Sequence, residues 1–407
     1  MKKTCIYGFA FAALLASCTT TVKQEPLQSI NVQQTYPDKE VKLSQLAKVT
    51  YVQPKAEGSD YLVKSSPADI TSNTILIVER ENGDVMLFDR NGTPLSKFNK
   101  QGQGPEEYTD IFKALYDEKK KEVYIGDKQK ICVYTPDGQF KRLLRLPTGA
   151  ILNELYNFDD NTLIANDASI AAKQAMKRIN AMLNAPVQSN DEFPSGYGTS
   201  FVLISKTDGS LVKEIPVYEN DEIQVGAEMQ MGEMVTIVPP RWRTLTPDTD
   251  GFVINSKMQD TIFRFDRSQT LHPIVIKTPS YLSMSAPRSA MPYFMQTSDY
   301  NFMITTVLNK PDGYKSVLGP FEANCLIQDR NDNAIYKQKI TLDDYSGKQV
   351  DLYSFSLASS TPICTIEFTI PELKEALAAN KLSGTLKQLA ESSAEDDNSV
   401  IAIIAPN

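Results

Sequence analysis

Apolar and polar positions alternate with period two through residues 74–108, TILIVERENGDVMLFDRNGTPLSKFNKQGQGPEEY, with Ile75, Ile77, Val85 and Leu87 on alternate positions. β-Branched and aromatic residues are in excess there, as strands packed on at least one face require. Glu81-Asn82-Gly83-Asp84 supplies one turn and Asp89-Arg90-Asn91-Gly92 a second. Glycine takes positive φ freely, and Asn or Asp bonds its own backbone. The stretch reads as a three- or four-stranded antiparallel meander. Alone, a meander leaves apolar faces in water, so it needs stacked copies.

Five copies of the second hairpin follow the same pattern, an alternating strand, an Asp/Asn/Gly turn and a returning strand. They are VMLFDRNGTPL at 85–95, ICVYTPDGQFKRL at 131–143, FVLISKTDGSLVKEI at 201–215, IFRFDRSQTLHPI at 262–274 and CLIQDRNDNAI at 325–335. Leading strands recur before them at 75–78, 123–125, 163–165, 252–254 and 302–304. Gly92 and Gly138 lie 46 residues apart, a blade period. Gly138 and Gly209 lie 71 apart, and the excess is a helical insertion near 169–184 that places Ala172, Ala175, Met176, Ile179, Met182 and Leu183 on one face. Five units and a closing one predict an all-β chain, a six-bladed β-propeller of four-stranded antiparallel blades.

The termini fit a closed ring. Around Lys42 the segment VKLSQLAKVTYVQP, followed by Asp60-Tyr61-Leu62-Val63, holds two short strand candidates that suit the last blade. At the other end PELKEALAANKLSGTLKQL, 371–389, reads as a helix pair or a helix broken at Gly384, and the apolar strand 399–404 completes the closing blade. Joining the two chain ends in one blade protects both edges.

The first residues carry an address. Met1-Lys2-Lys3 precedes an apolar run, 6–16, too short to span a bilayer and right for a signal-peptide core. Leu15-Ala16-Ser17-Cys18 is similar to a lipobox, the bacterial lipoprotein cleavage site, which makes Cys18 the lipidated first residue of the mature chain. The expected organisation is a signal peptide at 1–17, a polar tether at 18–40 and a single propeller domain at 41–407.

Together these residues resemble the six-bladed β-propeller lipoproteins of Bacteroidota, related in shape to TolB-like and NHL propellers. Gly102-Gln103-Gly104-Pro105-Glu106-Glu107-Tyr108 is similar to that family's Gly-x-Gly-Pro-Gly-Glu-Tyr loop, and Asp260-Thr261-Ile262-Phe263 to its Asp-Thr-Ile-Tyr strand. Glu395-Asp396-Asp397-Asn398 before the last strand completes the likeness, which covers essentially the whole mature chain. It implies the fold and an envelope location, outer-membrane and lipid-anchored, with a role in nutrient uptake or assembly.

Composition narrows the partners. The formal charge is −8 over 407 residues, and losing Lys2 and Lys3 with the signal takes it to −10. Such a chain is a poor partner for nucleic acid, whose phosphates demand clustered Lys and Arg. Cys132, Cys325 and Cys364 sit among apolar neighbours and read as buried thiols rather than a disulfide framework. His272 is the only histidine, which excludes multi-histidine metal sites and Ser-His catalysis within one chain. The GQGPEEY loop lacks the Lys-Ser or Lys-Thr of a phosphate cradle and reads as a tight crossover, with Glu106 or Glu107 bonding loop backbone. Asp329-Arg330-Asn331-Asp332-Asn333 mimics the start of a calcium loop but lacks the glycine and the bidentate glutamate, and reads as a hairpin turn.

No motif marks catalysis, and neither a metal nor a cofactor is expected. The candidate contact is Arg241, Trp242 and Arg243, a tryptophan between two arginines behind Pro239-Pro240. It suits a sugar ring or a protein partner, as Trp and Arg dominate hot spots; the plainer alternative is a Trp packed between blades. The reading is a monomeric, acyl-anchored propeller that binds an envelope protein partner through its long loops. A glycan-binding role is the alternative, with Tyr281, Tyr293, Tyr300 and Trp242 converging on one face. Third is a carboxylate-based hydrolase or lyase, which requires two acids meeting in the central channel.

Overall fold

The computed structural model describes residues 27–58, 60–127, 129–182, 196–217, 227–231, 234–238, 242–257, 259–285, 287–308, 322–351, 356–358 and 360–407. Six sheets, each built on four antiparallel strands, make six blades; blades 1 to 5 take theirs consecutively from the chain, and the sheets of blades 4 and 5 carry added strands. Blade 1 holds Pro67–Ile70, Thr74–Glu79, Asp84–Asp89 and Pro94–Asn99. Blade 2 holds Lys113–Asp117, Glu122–Asp127, Lys130–Tyr134 and Phe140–Arg145, and blade 3 Leu152–Asn157, Thr162–Asp167, Phe201–Ser205 and Leu211–Glu214. Blade 4 runs from Leu245–Asp248 through Gly251–Ile254 and Thr261–Asp266 to Leu271–Thr278. Blade 5 runs from Arg288–Gln296 through Tyr300–Leu308 and Glu322–Asp329 to Ile335–Thr341. Blade 6 joins Ser356–Leu357, Cys364–Phe368 and Val400–Ala405 to the N-terminal strand Lys48–Val52, which pairs antiparallel with Val400–Ala405. The ring closes as the sequence predicts.

Middle strands are the most deeply buried. Every residue of Thr74–Glu79, Glu122–Asp127 and Thr162–Asp167 is buried, because each lies inside a blade that is covered on both faces. The third-to-fourth-strand turns are tied by their first side chain: Asp89 Oδ1 accepts from the amides of Asn91 and Thr93, both at 2.8 Å, and Asp266 Oδ1 from Thr270 at 2.9 Å. Gly92 needs its φ of +81°, and a Cβ there would sit 2.2 Å from the carbonyl oxygen of Gln53.

The structure departs from the expectations in four places. The segments read as leading strands are second strands, and a further strand precedes each along the central channel. Part of the expected tether is built into the ring: Gln28–Asn31 pairs parallel with the last strand of blade 4, and Ile30 is fully buried. Asp38–Lys42 does the same on blade 5. Residues 60–63 form no strand, although Tyr61 packs edge-on against Phe88. The helical insertion is present as Ser169–Met182, between the second and third strands of blade 3, but Met176 on its expected apolar face is 40% exposed.

Ile370–Ala378 and Gly384–Ser392 form the expected C-terminal helix pair, separated at 379–383. Thr369 caps the first by accepting from the amide of Glu372, and Leu373, Ala376, Leu386 and Ala390 bury the pair against the core. Leu183 of the insertion lies outside the described residues, as does Cys18.

Candidate functional site

First strands wall the central channel, and three repeated carboxylates fix where they begin. Glu79, Asp127 and Asp167 each end a second strand. Each accepts backbone amides from the crossover into its own blade: Glu79 from Lys64 at 2.6 Å and Ser65 at 3.0 Å, Asp127 from Thr109 at 3.0 Å, Asp167 from Ile151 at 3.0 Å. A carboxylate accepting backbone N–H groups makes charge-assisted bonds of about twice the neutral strength. Lys113 and Glu154, on the first strands of blades 2 and 3, are thereby held in register at the channel.

A cavity of about 830 Å³ opens where the first strands of blades 1 to 4 begin, and all six blades contribute to its wall. Among the described residues five basic side chains line it, Lys64, Arg80, Lys113, Arg243 and Lys257, against one carboxylate, Glu154. This is a local excess of four positive charges in a chain of net charge −8.

Glu154 is committed to structure. Its Oε2 accepts from the amides of Thr244 at 3.1 Å and Leu245 at 2.8 Å and from the Thr244 hydroxyl, tying blade 3 to the start of blade 4. Burial raises its pKa, and Arg243 and the Thr244 hydroxyl work the other way. Arg243 donates its amide to the carbonyl of Pro292 at 3.0 Å, and its Nη1 reaches the Tyr156 hydroxyl at 3.5 Å. Burial opposes its charge, yet Tyr156 and Glu154 carry its pKa above the ordinary guanidinium value.

Among the described residues the Lys113 ammonium touches only the Ala68 carbonyl at 3.5 Å and the Tyr156 ring face at 4.8 Å. Burial brings its pKa down to about 8, with Asp69 and Glu154 opposing and Arg243 and Arg80 reinforcing. Tyr293 faces the same cavity, its hydroxyl held protonated first by burial. Cys364 is 2% exposed, and burial pushes its thiol up to about 12. It is no nucleophile at neutral pH.

Of the residues singled out in sequence, Arg243 turns to the channel. Trp242 has the plainer role, packed against Ala290 and Leu308 between blades 4 and 5, with Nε1 donating to the Asn255 carbonyl at 2.8 Å, although its edge still lines the cavity. Arg241 lies outside the described residues. Tyr281 lines a cleft beside Trp242, whereas Tyr300 stacks on Phe302 at the start of its strand and is absent from the cavity wall. Cys132 and Cys364 are buried thiols, and Cys325 is half-buried.

The GQGPEEY loop is a structural crossover: Glu107 Oε2 accepts from the Gly104 amide at 2.8 Å, and the buried Tyr108 donates to the Gly83 carbonyl at 2.6 Å. In 329–333, Asp329 Oδ1 accepts from the Asn331 amide at 2.9 Å and Asn333 takes a φ of +61°, the geometry of a hairpin turn. Sequence reasoning missed Lys113, Glu154 and Tyr156. One signal was present, since second strands at 74, 122 and 162 imply first strands one short turn upstream.

The fold and this cavity define a six-bladed propeller with a basic, open channel mouth. The chain belongs to the DUF4934 family, a domain of unknown function whose family model matches residues 27–405. Among solved structures it is similar to the "Putative exported protein" of Bacteroides fragilis, at 15% identity, TM-score 0.56, covering 92% of this chain and 100% of that one. A DUF4221 member from Bacteroides vulgatus is 10% identical with TM-score 0.45, covering 89% and 97%. No curated protein matches the chain. At these identities the likeness speaks for the fold alone.

Proposed function

We propose that this protein is a non-catalytic binding propeller of the bacterial cell envelope, tethered to the outer membrane through an acylated Cys18, and that the channel mouth takes its ligand. One observation carries the reading: a concave cavity of about 830 Å³ into which side chains of six blades converge. That volume lies within the range of about 300–1,000 Å³ typical of small-ligand sites. Binding is favoured over hydrolysis because, among the described residues, the wall holds a single carboxylate whose Oε2 is already taken by three donors. The two-acid machinery of a carboxylate hydrolase has no second member there. Tyr293, Tyr156 and the edge of Trp242 give the cavity aromatic surface suited to sugar rings.

A second reading, a scaffold for an envelope protein, rests on the hairpin Ala227–Met231 with Met234–Val238. Among the described residues its two strands pair with each other and with no blade. A free hairpin edge is a template for strand addition by a partner.

The test is retention without turnover. Incubation of the full chain with a glycan library should hold back a ligand class of unchanged mass by mass spectrometry. Product formation that disappears in Glu154→Gln overturns the non-catalytic reading. Membrane fractionation beside Cys18→Ala checks the anchor, which predicts release of the variant from the outer membrane.

A further inference from the structure

We infer that the channel mouth recognises an anionic group, a carboxylate, sulfate or phosphate on a small ligand such as an acidic sugar, gripped between Arg243 and Lys113. This rests on the proposal above that the mouth is a ligand site, and adds the chemistry of its occupant.

A cation taken out of water is ordinarily paired. Neither cation at the mouth has a carboxylate in direct contact: among the described residues the Arg243 guanidinium reaches only the Tyr156 hydroxyl at 3.5 Å, with Glu154 acting on it from longer range, and the Lys113 ammonium only a carbonyl at 3.5 Å and a ring face, with Asp69 and Glu154 acting on it from longer range. Arg243 and Lys113 also repel each other across the cavity. The carboxylate that would neutralise them, Glu154, is instead spent on the backbone of Thr244 and Leu245. Its bonds fix the strand start directly after Arg243, while the Arg243 amide is held by Pro292 and the neighbouring indole by Asn255. The guanidinium is therefore placed from three blades before any ligand arrives, and such preorganisation lowers the cost of binding.

An anion seated there supplies the missing partner to both cations at once, with the planar fork of Arg243 suited to a two-oxygen face. Lys64, Arg80 and Lys257 add a positive field around it, and a cleft lined by one sign of charge concentrates ligands of the other. Tyr293 and the Trp242 edge leave room for an apolar or sugar body beside the charge.

Isothermal titration of the full chain tests this with five probes: a uronate disaccharide, a sulfated disaccharide, a phosphorylated disaccharide, inorganic phosphate and the uncharged parent disaccharide. At least one charged probe should bind at least about tenfold tighter than the neutral parent, weaken as salt shortens the screening length, and lose at least about tenfold in Arg243→Gln. Arg243→Lys should recover part of that loss, and a matched melting curve shows that the variants are folded. Phosphate binding as tightly as the charged sugars supports the anion site and assigns it to the free anion. Equal binding of the neutral parent overturns the inference while leaving a ligand-binding propeller intact. Silence from all five probes overturns it as well, and the retention experiment then decides the broader reading independently.

Discussion

Two lysines of the same ring are treated in opposite ways. Lys206, at the seam between blades 2 and 3, is 2% exposed and fully partnered, with Asp117 Oδ2 and the Asp159 carbonyl each at 2.7 Å. Next to it Glu122 accepts from both Arg142 Nη1 and Nη2 at 2.7 Å and pairs with Lys141 at 2.6 Å. Lys113, on the channel wall, has a distant carbonyl and a ring face. Partner geometry and burial both separate the two, Lys206 being buried and Lys113 half-buried: the seam spends its charges on blade-to-blade contact, whereas the mouth leaves its charges open to something outside the chain.

The sharpest way to break the contrast is Lys206→Met. Removing one member of a buried pair strands the other, and Asp117 would be left uncompensated at a cost of roughly 3–5 kcal/mol. A large drop in the urea midpoint with ligand affinity unchanged is expected. A stability change within about 0.5 kcal/mol, the scale of an ordinary surface substitution, would show the seam pair to be ornamental.

Trp242→Ala comes next, since the indole both packs between two blades and lines the mouth. Its ring packs on Ala290 and Leu308, and Lys277 lies 5.7 Å from its centroid. Because the ring is half-buried, the loss should be about 2–3 kcal/mol, somewhat below that of a fully buried aromatic. Chemical denaturation beside titration separates the roles: lost binding at unchanged stability would make Trp242 a contact residue instead of a packing one.

The same contrast explains what the sequence disclosed. Blade number, ring closure and both helical segments were legible because second and third strands are apolar throughout, as in Ile75, Leu76, Ile77 and Val78, and their turns carry Asp, Asn and Gly. First strands were illegible for the reason that makes them functional. They carry polar residues, Lys113 and Glu154 on the cavity wall and the buried Asp69 and Thr246, so the apolar alternation that betrays a strand is broken on the strands that build the site. The parallel strand Gln28–Asn31 escaped notice because only Ile30 of its four residues is buried. Arg243 was singled out for its neighbour Trp242, and it reaches the channel.

Asp69 supplies a third buried charge, lying between the two regions. It is 2% exposed, and its Oδ2 accepts from the Tyr116 amide at 2.8 Å. Burial raises its pKa to about 6, with the Tyr116 amide and Lys113 opposing. A carboxyl raised in the folded state favours folding when protonated. Its contribution is therefore complete below the unfolded value near 3.8 and is lost as pH rises through about 6. Asp69→Asn should stabilise the protein at pH 7 by on the order of 2 kcal/mol, with the advantage shrinking as pH falls from 6 towards 4. A pH-independent gap between variant and parent would refute the assignment.

The smallest stability effect and the most specific binding effect belong to Lys113→Met. An ammonium whose pKa has fallen to about 8 disfavours the fold while charged, so the parent gains stability as pH rises from about 8 towards the unfolded value of 10.5. Loss of the charge at pH 7 should leave stability equal or higher by no more than about 1 kcal/mol, because the side chain is partly solvated. Asp69 and Arg80 of blade 1, Glu154 and Tyr156 of blade 3 and Arg243 before blade 4 are the groups that set this titration. An anion at the mouth would hold the proton on Lys113, so the parent should bind it progressively less well above pH 8, while Lys113→Met binds at least about tenfold more weakly and with no such decline. If affinity falls equally in parent and variant across pH 7 to 9.5, the proton lies elsewhere and Lys113 is, like Lys206, only a wall.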